Sequence, residues 1–199
     1  IQQARESMKE HPIDWGNLLV TDYREMFQGY KQFMGPIATG ISIEKMSIPV
    51  AANGAEIEVR VFSNGEEEKK PALIYIPGGG FIAYLDCHDS ACSIMAKSAQ
   101  SKVIMIMPRL APEYKAPIPL QDAICAIRYI FTYADKFNIH SNNISLGGDS
   151  SGANLALGAA LTCCEDKSLP APIQSLQLVS GTYDLSMSLI NNYAQFESE

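Results

Sequence analysis

The chain has 199 residues, 47% hydrophobic and 19% charged, enough for one domain with a real core and too apolar for a disordered segment. Its 22 acidic residues outnumber the 15 lysines and arginines, giving a formal charge of −7, and no basic patch stands out. Nucleic acid and anionic lipid are therefore excluded as expected partners, and a neutral or small substrate is favoured.

No apolar run approaches the about eighteen residues of a membrane span, and the first ten residues are polar rather than signal-like, so a cytoplasmic protein without a membrane span is expected. The five cysteines, Cys87, Cys92, Cys125, Cys163 and Cys164, are odd in number and lack CxxC or Cys/His ligand spacing. Neither a disulfide framework nor a metal site is expected, and no cofactor motif is present. Ile1 is not an initiator, which leaves room for residues upstream.

In chain order, residues 19–34 place Leu19, Tyr23, Met26, Phe27, Tyr30, Phe33 and Met34 on one face at helical spacing before Gly35 and Pro36 stop the pattern. Such an amphipathic helix either packs on the body of the protein or caps a substrate pocket. Residues 43–50 and 55–62 read as antiparallel edge strands around an Asn53-Gly54 turn, and 66–70 as a solvated turn. The pattern then alternates. Strands are expected at 72–76, 102–107, 143–147 and 173–179, and helices at 89–100, 119–137 and 151–164. The strands are short and continuously apolar, as in a parallel sheet covered by helices on both faces, where ligands bind at the carboxyl ends of the strands.

Chemistry is expected where two of these strands end. Gly148, Asp149, Ser150, Ser151 and Gly152 spell GxSxG between a predicted strand and a predicted helix, the context of a nucleophile elbow. Glycines flanking Ser150 allow a sharp turn that projects the serine outward, and the helix N-terminus directs the Ser151 N–H toward a developing oxyanion. Upstream, Pro77 is followed by Gly78, Gly79 and Gly80 at another strand end, where successive glycines can present N–H groups to negative charge unobstructed. No GKS or GKT follows and GxGxxG spacing is absent, against a P-loop or a dinucleotide site.

PGGGF at 77–81, RLAPEYKAPIPLQDA at 109–123 and GGDSSGANLA at 147–156 together resemble, in order and spacing, three signatures of the hormone-sensitive-lipase-like (HGGG type, family IV) carboxylesterases of the α/β-hydrolase fold. The resemblance covers nearly the whole chain, through Asp184 and Leu185. It implies hydrolysis of short-chain carboxylic esters through an acyl-enzyme on Ser150. Gly79, Gly80 and Ser151 match the oxyanion donors, Gly78 supports their loop, and Arg109, Pro112 and Glu113 match a structural segment. Two departures stand out. The family's HGGG histidine is here Pro77, which has no donor to pin the loop, and the family's acid and base lie after two further strands.

The three histidines offer no evident base. His11 falls in the cap segment, His140 precedes the nucleophile strand at the opposite end of the sheet, and His88 follows the glycine loop at a point where the family has a non-catalytic histidine. Asp184 has no histidine to orient, Asp149 braces the elbow, and Asp122, Cys163 and Cys164 form no catalytic pair.

The expected protein is thus an α/β hydrolase with N-terminal cap helices at 1–45 and a core at 46–199 whose last strands are missing. Expected partners are a small-molecule ester, together with a further copy of the chain or a complementing C-terminal fragment. The alternative is a non-catalytic small-molecule-binding protein on the same fold.

Overall fold

Alternation along each central strand sends both sets of side chains into apolar surroundings, and this determines how the layers form. A computed structural model describes residues 19–28, 35–51, 53–65, 67–85 and 87–184. In β3 (Lys70–Ile76), Ile74 and Ile76 enter one core and Tyr75 the other. In β4 (Lys102–Ile106), Ile104 and Ile106 face the first core, and Val103 and Met105 the second. A strand buried on both faces needs helices on both sides. On one face lie α3 (Ile118–Thr132), through Ala123, Ile127 and Ile130, and α4 (Ser151–Glu165), through Ala156, Ala159 and Ala160. On the other, α2 (Cys87–Ala99) packs Cys92 and Ala96 against Phe62, Tyr75 and Met105.

Among the described residues the sheet has six strands in the order β1-β2-β4-β3-β5-β6. The first two, β1 (Ser42–Pro49) and β2 (Glu56–Ser63), form the expected hairpin, with Pro49 opposite Glu56. Gly54, at φ +84°, donates its N–H to the Ala51 carbonyl in the turn, a conformation that glycine adopts without a Cβ penalty. β2 joins β4 antiparallel, whereas β4, β3, β5 (Ile139–Asp149) and β6 (Leu176–Val179) run parallel, so the sheet is mostly parallel. One further helix, α1 (Val20–Gln28), lies within the span expected to be amphipathic; residues 29–34 of that span lie outside the described residues.

Three expectations need correction. The helix expected at 119–137 ends at Thr132, and a 3-10 turn (Ala134–Phe137) follows, because Tyr133 leaves helical geometry at φ −110°, ψ 36°. The break still keeps Ala134 and Phe137 buried, and Asn138 closes it in the left-handed conformation. The nucleophile strand is longer than 143–147. Its first turn of sequence is polar and exposed, which hid the strand signal, yet Ile139 is already paired with Lys70. Lastly, the strand expected to be buried at 173–179 is the short β6, largely exposed, with Val179 at 54%. Among the described residues it pairs with β5 alone, and an apolar sequence does not reveal whether a second neighbour stands beside a strand.

None of the five cysteines forms a disulfide, and Cys87, Cys92 and Cys163 are buried. No helix among the described residues is long and apolar enough to cross a membrane, and no cluster of possible metal ligands occurs among them.

Candidate active site

The carboxyl ends of the adjacent parallel strands β3 and β5, where Ile76 pairs with Gly148, carry the two glycine motifs. β5 ends at Asp149 and α4 starts at Ser151, so Ser150 alone makes the turn, with φ +51° and ψ −121°. A non-glycine residue with positive φ is held there by its surroundings at a cost of about 1–3 kcal/mol. Here the Ser150 N–H is bound by the Val179 carbonyl of β6 at 2.9 Å, and its side chain is exposed. The flanking glycines are steric necessities. A Cβ on Gly152 would fall 2.1 Å from the Ile76 carbonyl oxygen, and one on Gly148 would fall 2.6 Å from the same oxygen. Helix α4 can therefore begin directly against the end of β3.

The loop after β3 lies on this contact. Gly78 and Gly79 are buried and Gly80 is exposed. Gly79 has φ +141°, and a Cβ there would sit 1.9 Å from the Ala83 carbonyl oxygen. Its own carbonyl accepts the N–H groups of Ile82 and Ala83 at 3.1 and 3.0 Å, curling the loop back on itself. The structure thus brings Gly78, Gly79, Gly80, Ser150 and Ser151 to one end of the sheet. N–H groups at a glycine loop and at a helix N-terminus, gathered at the same sheet end as an exposed hydroxyl, are of the kind that can hold an oxyanion formed by attack of such a hydroxyl.

Neither described histidine is directed at Ser150. His140 is exposed at the far end of β5, and His11 lies outside the described residues. His88 is buried at the start of α2 with Nε2 at 3.0 Å from Asp149 Oδ1 and Nδ1 at 3.0 Å from the Leu85 carbonyl. Both ring nitrogens are thus engaged by oxygen acceptors of the surrounding loop and elbow rather than by Ser150. The same Oδ1 accepts the Tyr75 hydroxyl at 2.8 Å and the Gly78 N–H at 3.0 Å. Burial acts to raise the Asp149 pKa. The hydrogen bond and charge of His88, with Tyr75 and Gly78, outweigh it and hold the carboxyl below its ordinary 3.8. Tyr75 is pushed upward by burial and by that carboxylate, so it remains a donor.

Sequence reasoning missed the partners of Asp149 and the anchoring of α1. Arg24 donates from Nε to the Ile82 carbonyl at 2.9 Å, from Nη2 to the Ala111 carbonyl at 3.1 Å, and from both terminal nitrogens to the Glu113 carboxylate. One guanidinium thus ties α1 to the tail of the glycine loop and to the segment of Arg109 and Glu113. Arg109 itself forks onto the fully buried Asp122. Tyr23 of α1 places its hydroxyl 2.7 Å from where a Gly80 Cβ would be. An apolar cavity of about 360 Å³ opens beside the site between Phe81, Pro117, Leu120 and Leu155; Asn154, also on its wall, is one helical turn beyond Ser150. The described pattern at 19–28 carried a helix signal, but nothing in it distinguished Arg24 from a solvated charge.

Comparison with known proteins accords with this geometry. The profile of the alpha/beta hydrolase fold family matches residues 73–197. Carboxylic ester hydrolase LipN of Mycobacterium tuberculosis is 34% identical over 118 residues, which are 58% of this chain and 31% of LipN. A hyperthermophilic esterase from the archaeon Pyrobaculum calidifontis superposes with a TM-score of 0.74 at 28% identity, over 83% of this chain and 53% of that structure. EstE1, a thermophilic carboxylesterase cloned from a metagenomic library, gives 0.71 at 27% identity, over 81% and 54%. The chain thus spans about a third of LipN and about half of the two solved esterases. With the elbow at Ser150, the glycine loop beside it, the mostly parallel sheet and a family match over more than half its length, the chain belongs to the alpha/beta hydrolase family, as its likeness to the hormone-sensitive-lipase-like esterases implied.

Proposed function

We propose that the whole protein is a serine carboxylesterase for short-chain esters. The observation that carries this reading is the strained Ser150 at the end of β5, packed by Gly152 against the loop that holds Gly79 and Gly80. Ser150 Oγ attacks the ester carbonyl carbon as a base takes its proton, and the tetrahedral oxyanion is held by the N–H groups of Gly79, Gly80 and Ser151. Collapse expels the alcohol, and water then releases the acid from the acyl-serine by the reverse proton path. As the resemblance implies, the base is the family's histidine, which lies after two further strands; His88 instead turns its Nε2 to Asp149. The cavity bounded by Phe81, Leu120 and Leu155 suits a short apolar chain of the substrate. Its walls supply apolar contact, and the polar contacts come from the two loops.

Fluorophosphonate labelling of the full-length protein tests this reading, with p-nitrophenyl acetate, butyrate and palmitate as substrates. The expected result is one label, mapped by mass spectrometry to Ser150, with turnover of the short esters exceeding that of palmitate. A second reading, a binding protein that has lost catalysis, is favoured by Pro77 and by the engagement of His88 away from Ser150. Specific binding of a short ester without label or turnover would establish it.

The anchoring of α1 gives a further expectation. Arg24→Ala in the full-length enzyme should raise KM for p-nitrophenyl butyrate by about 3–10-fold and change kcat less, because it frees a helix that borders the glycine loop without touching the reacting atoms. An unchanged KM in steady-state kinetics would show that α1 does not shape the substrate site.

A further inference from the structure

Pro77 raises the question of what holds the glycine loop in register with the nucleophile. Proline has no N–H, and it stands where the resembling family has a histidine. The residue next to Ser150 supplies a tie from the opposite side. Asp149 Oδ1 accepts the Gly78 N–H at 3.0 Å, one residue before the first of the two loop glycines read as oxyanion donors. The same oxygen holds Tyr75, at the end of β3 just before the loop, and His88, at the start of α2 just after it. His88 in turn reaches the Leu85 carbonyl through Nδ1. One carboxylate therefore gathers the entry to the loop, its first glycine and its exit. The fit is close: a Cβ on Gly78 would fall 2.5 Å from Asp149 Oδ2 and 2.8 Å from the Asp149 carbonyl oxygen. Since Asp149 and Ser150 are consecutive, any displacement of the elbow moves the loop with it.

We propose that Asp149, backed by His88 and Tyr75, is the positioning residue of the oxyanion site, a hydrogen-bond acceptor that sets Gly79 and Gly80 against Ser150 in place of the absent loop histidine. This rests on the esterase reading above. Asp149 is assigned no part in proton transfer, since its Oδ1 is taken up by Tyr75, Gly78 and His88 and its Oδ2 lies against Gly78 of the loop. What it contributes is needed where charge develops, so its loss should appear in kcat rather than in KM.

The test uses the full-length protein and three variants, Asp149→Ala, Asp149→Asn and His88→Ala. Each is assayed with p-nitrophenyl butyrate, with a boronic acid that forms a tetrahedral adduct at serine, and by hydrogen exchange at the Gly78 amide. Asp149→Ala should lower kcat about 10–100-fold with KM within about twofold, weaken the boronate in parallel, and speed Gly78 exchange. Asp149→Asn keeps an acceptor oxygen and should recover most of kcat and of the amide protection. His88→Ala should fall between them. A role for the aspartate in proton transfer would leave Asp149→Asn as impaired as Asp149→Ala, and that result overturns the proposal, as does an unchanged kcat in Asp149→Ala. Should Asp149→Ala fail to fold, His88→Ala decides by the same split between kcat and KM. If the unmodified protein hydrolyses no ester, the esterase reading fails, and Gly78 exchange still judges the clamp: equal rates in Asp149→Ala and the unmodified protein refute it.

Discussion

Alanine at position 150 is expected to abolish ester hydrolysis by the full-length protein, lowering kcat by at least about three orders of magnitude, because the attacking oxygen is gone and only binding and the oxyanion donors remain. The fold should not register the change. Ser150 is exposed, its N–H bond to the Val179 carbonyl involves the backbone alone, and alanine keeps the Cβ that serine already carries at φ +51°. Surface substitutions of this kind alter stability by about 0.5 kcal/mol or less. Initial rates with p-nitrophenyl acetate, paired with a thermal unfolding scan, separate the two quantities. Retention of most activity with an unchanged Tm would remove Ser150 from the mechanism. Loss of both activity and Tm would make the residue structural.

Much of the fold could be read from local pattern because its central strands are buried on both faces. The run Ala72, Leu73, Ile74, Tyr75 and Ile76 admits few other interpretations, and the small residues of α4 follow directly from a helix that must begin against Ile76. The glycine motifs were legible for the same reason, since close backbone contact excludes every other residue there. Legibility stopped where a partner is distant in sequence. Asp149 meets Tyr75 and His88, which are 74 and 61 residues away, and Arg24 meets Glu113 across 89. Such pairs leave no periodicity, and one charged residue on a helix looks like another. Glu113 belongs to the segment that the family resemblance marks as structural, and its carboxylate docks α1 through Arg24. The exposure of β6 escaped for a different reason, because apolar content reports what a strand can bury and not what stands beside it.

The same close contact yields a second large effect, at Gly152. Helix propensity alone favours Gly152→Ala by about 1 kcal/mol, since the site lies in the first turn of α4. Sterics oppose it more strongly. The added Cβ would fall 2.1 Å from the Ile76 carbonyl oxygen and 2.7 Å from the carbonyl carbons of Ile76 and Pro77, all backbone atoms. β3 cannot retreat to make room, because it is paired on one side with β4 and on the other with β5, Ile76 itself opposite Gly148. Overpacking of a constrained site costs about 1–3 kcal/mol or more, so a net destabilisation of roughly 2–3 kcal/mol is expected, together with a displaced elbow and reduced kcat in whatever folds. Gly158→Ala is the control within the same helix. There the Cβ would meet only the flexible end of Leu120, at 3.1 Å, and the propensity gain offsets that contact to within about 1 kcal/mol. Urea unfolding of the two variants beside the unmodified protein measures the difference directly. A Gly152→Ala protein as stable and as active as Gly158→Ala would mean that α4 does not press on the end of β3, and the geometry that projects Ser150 would need another cause.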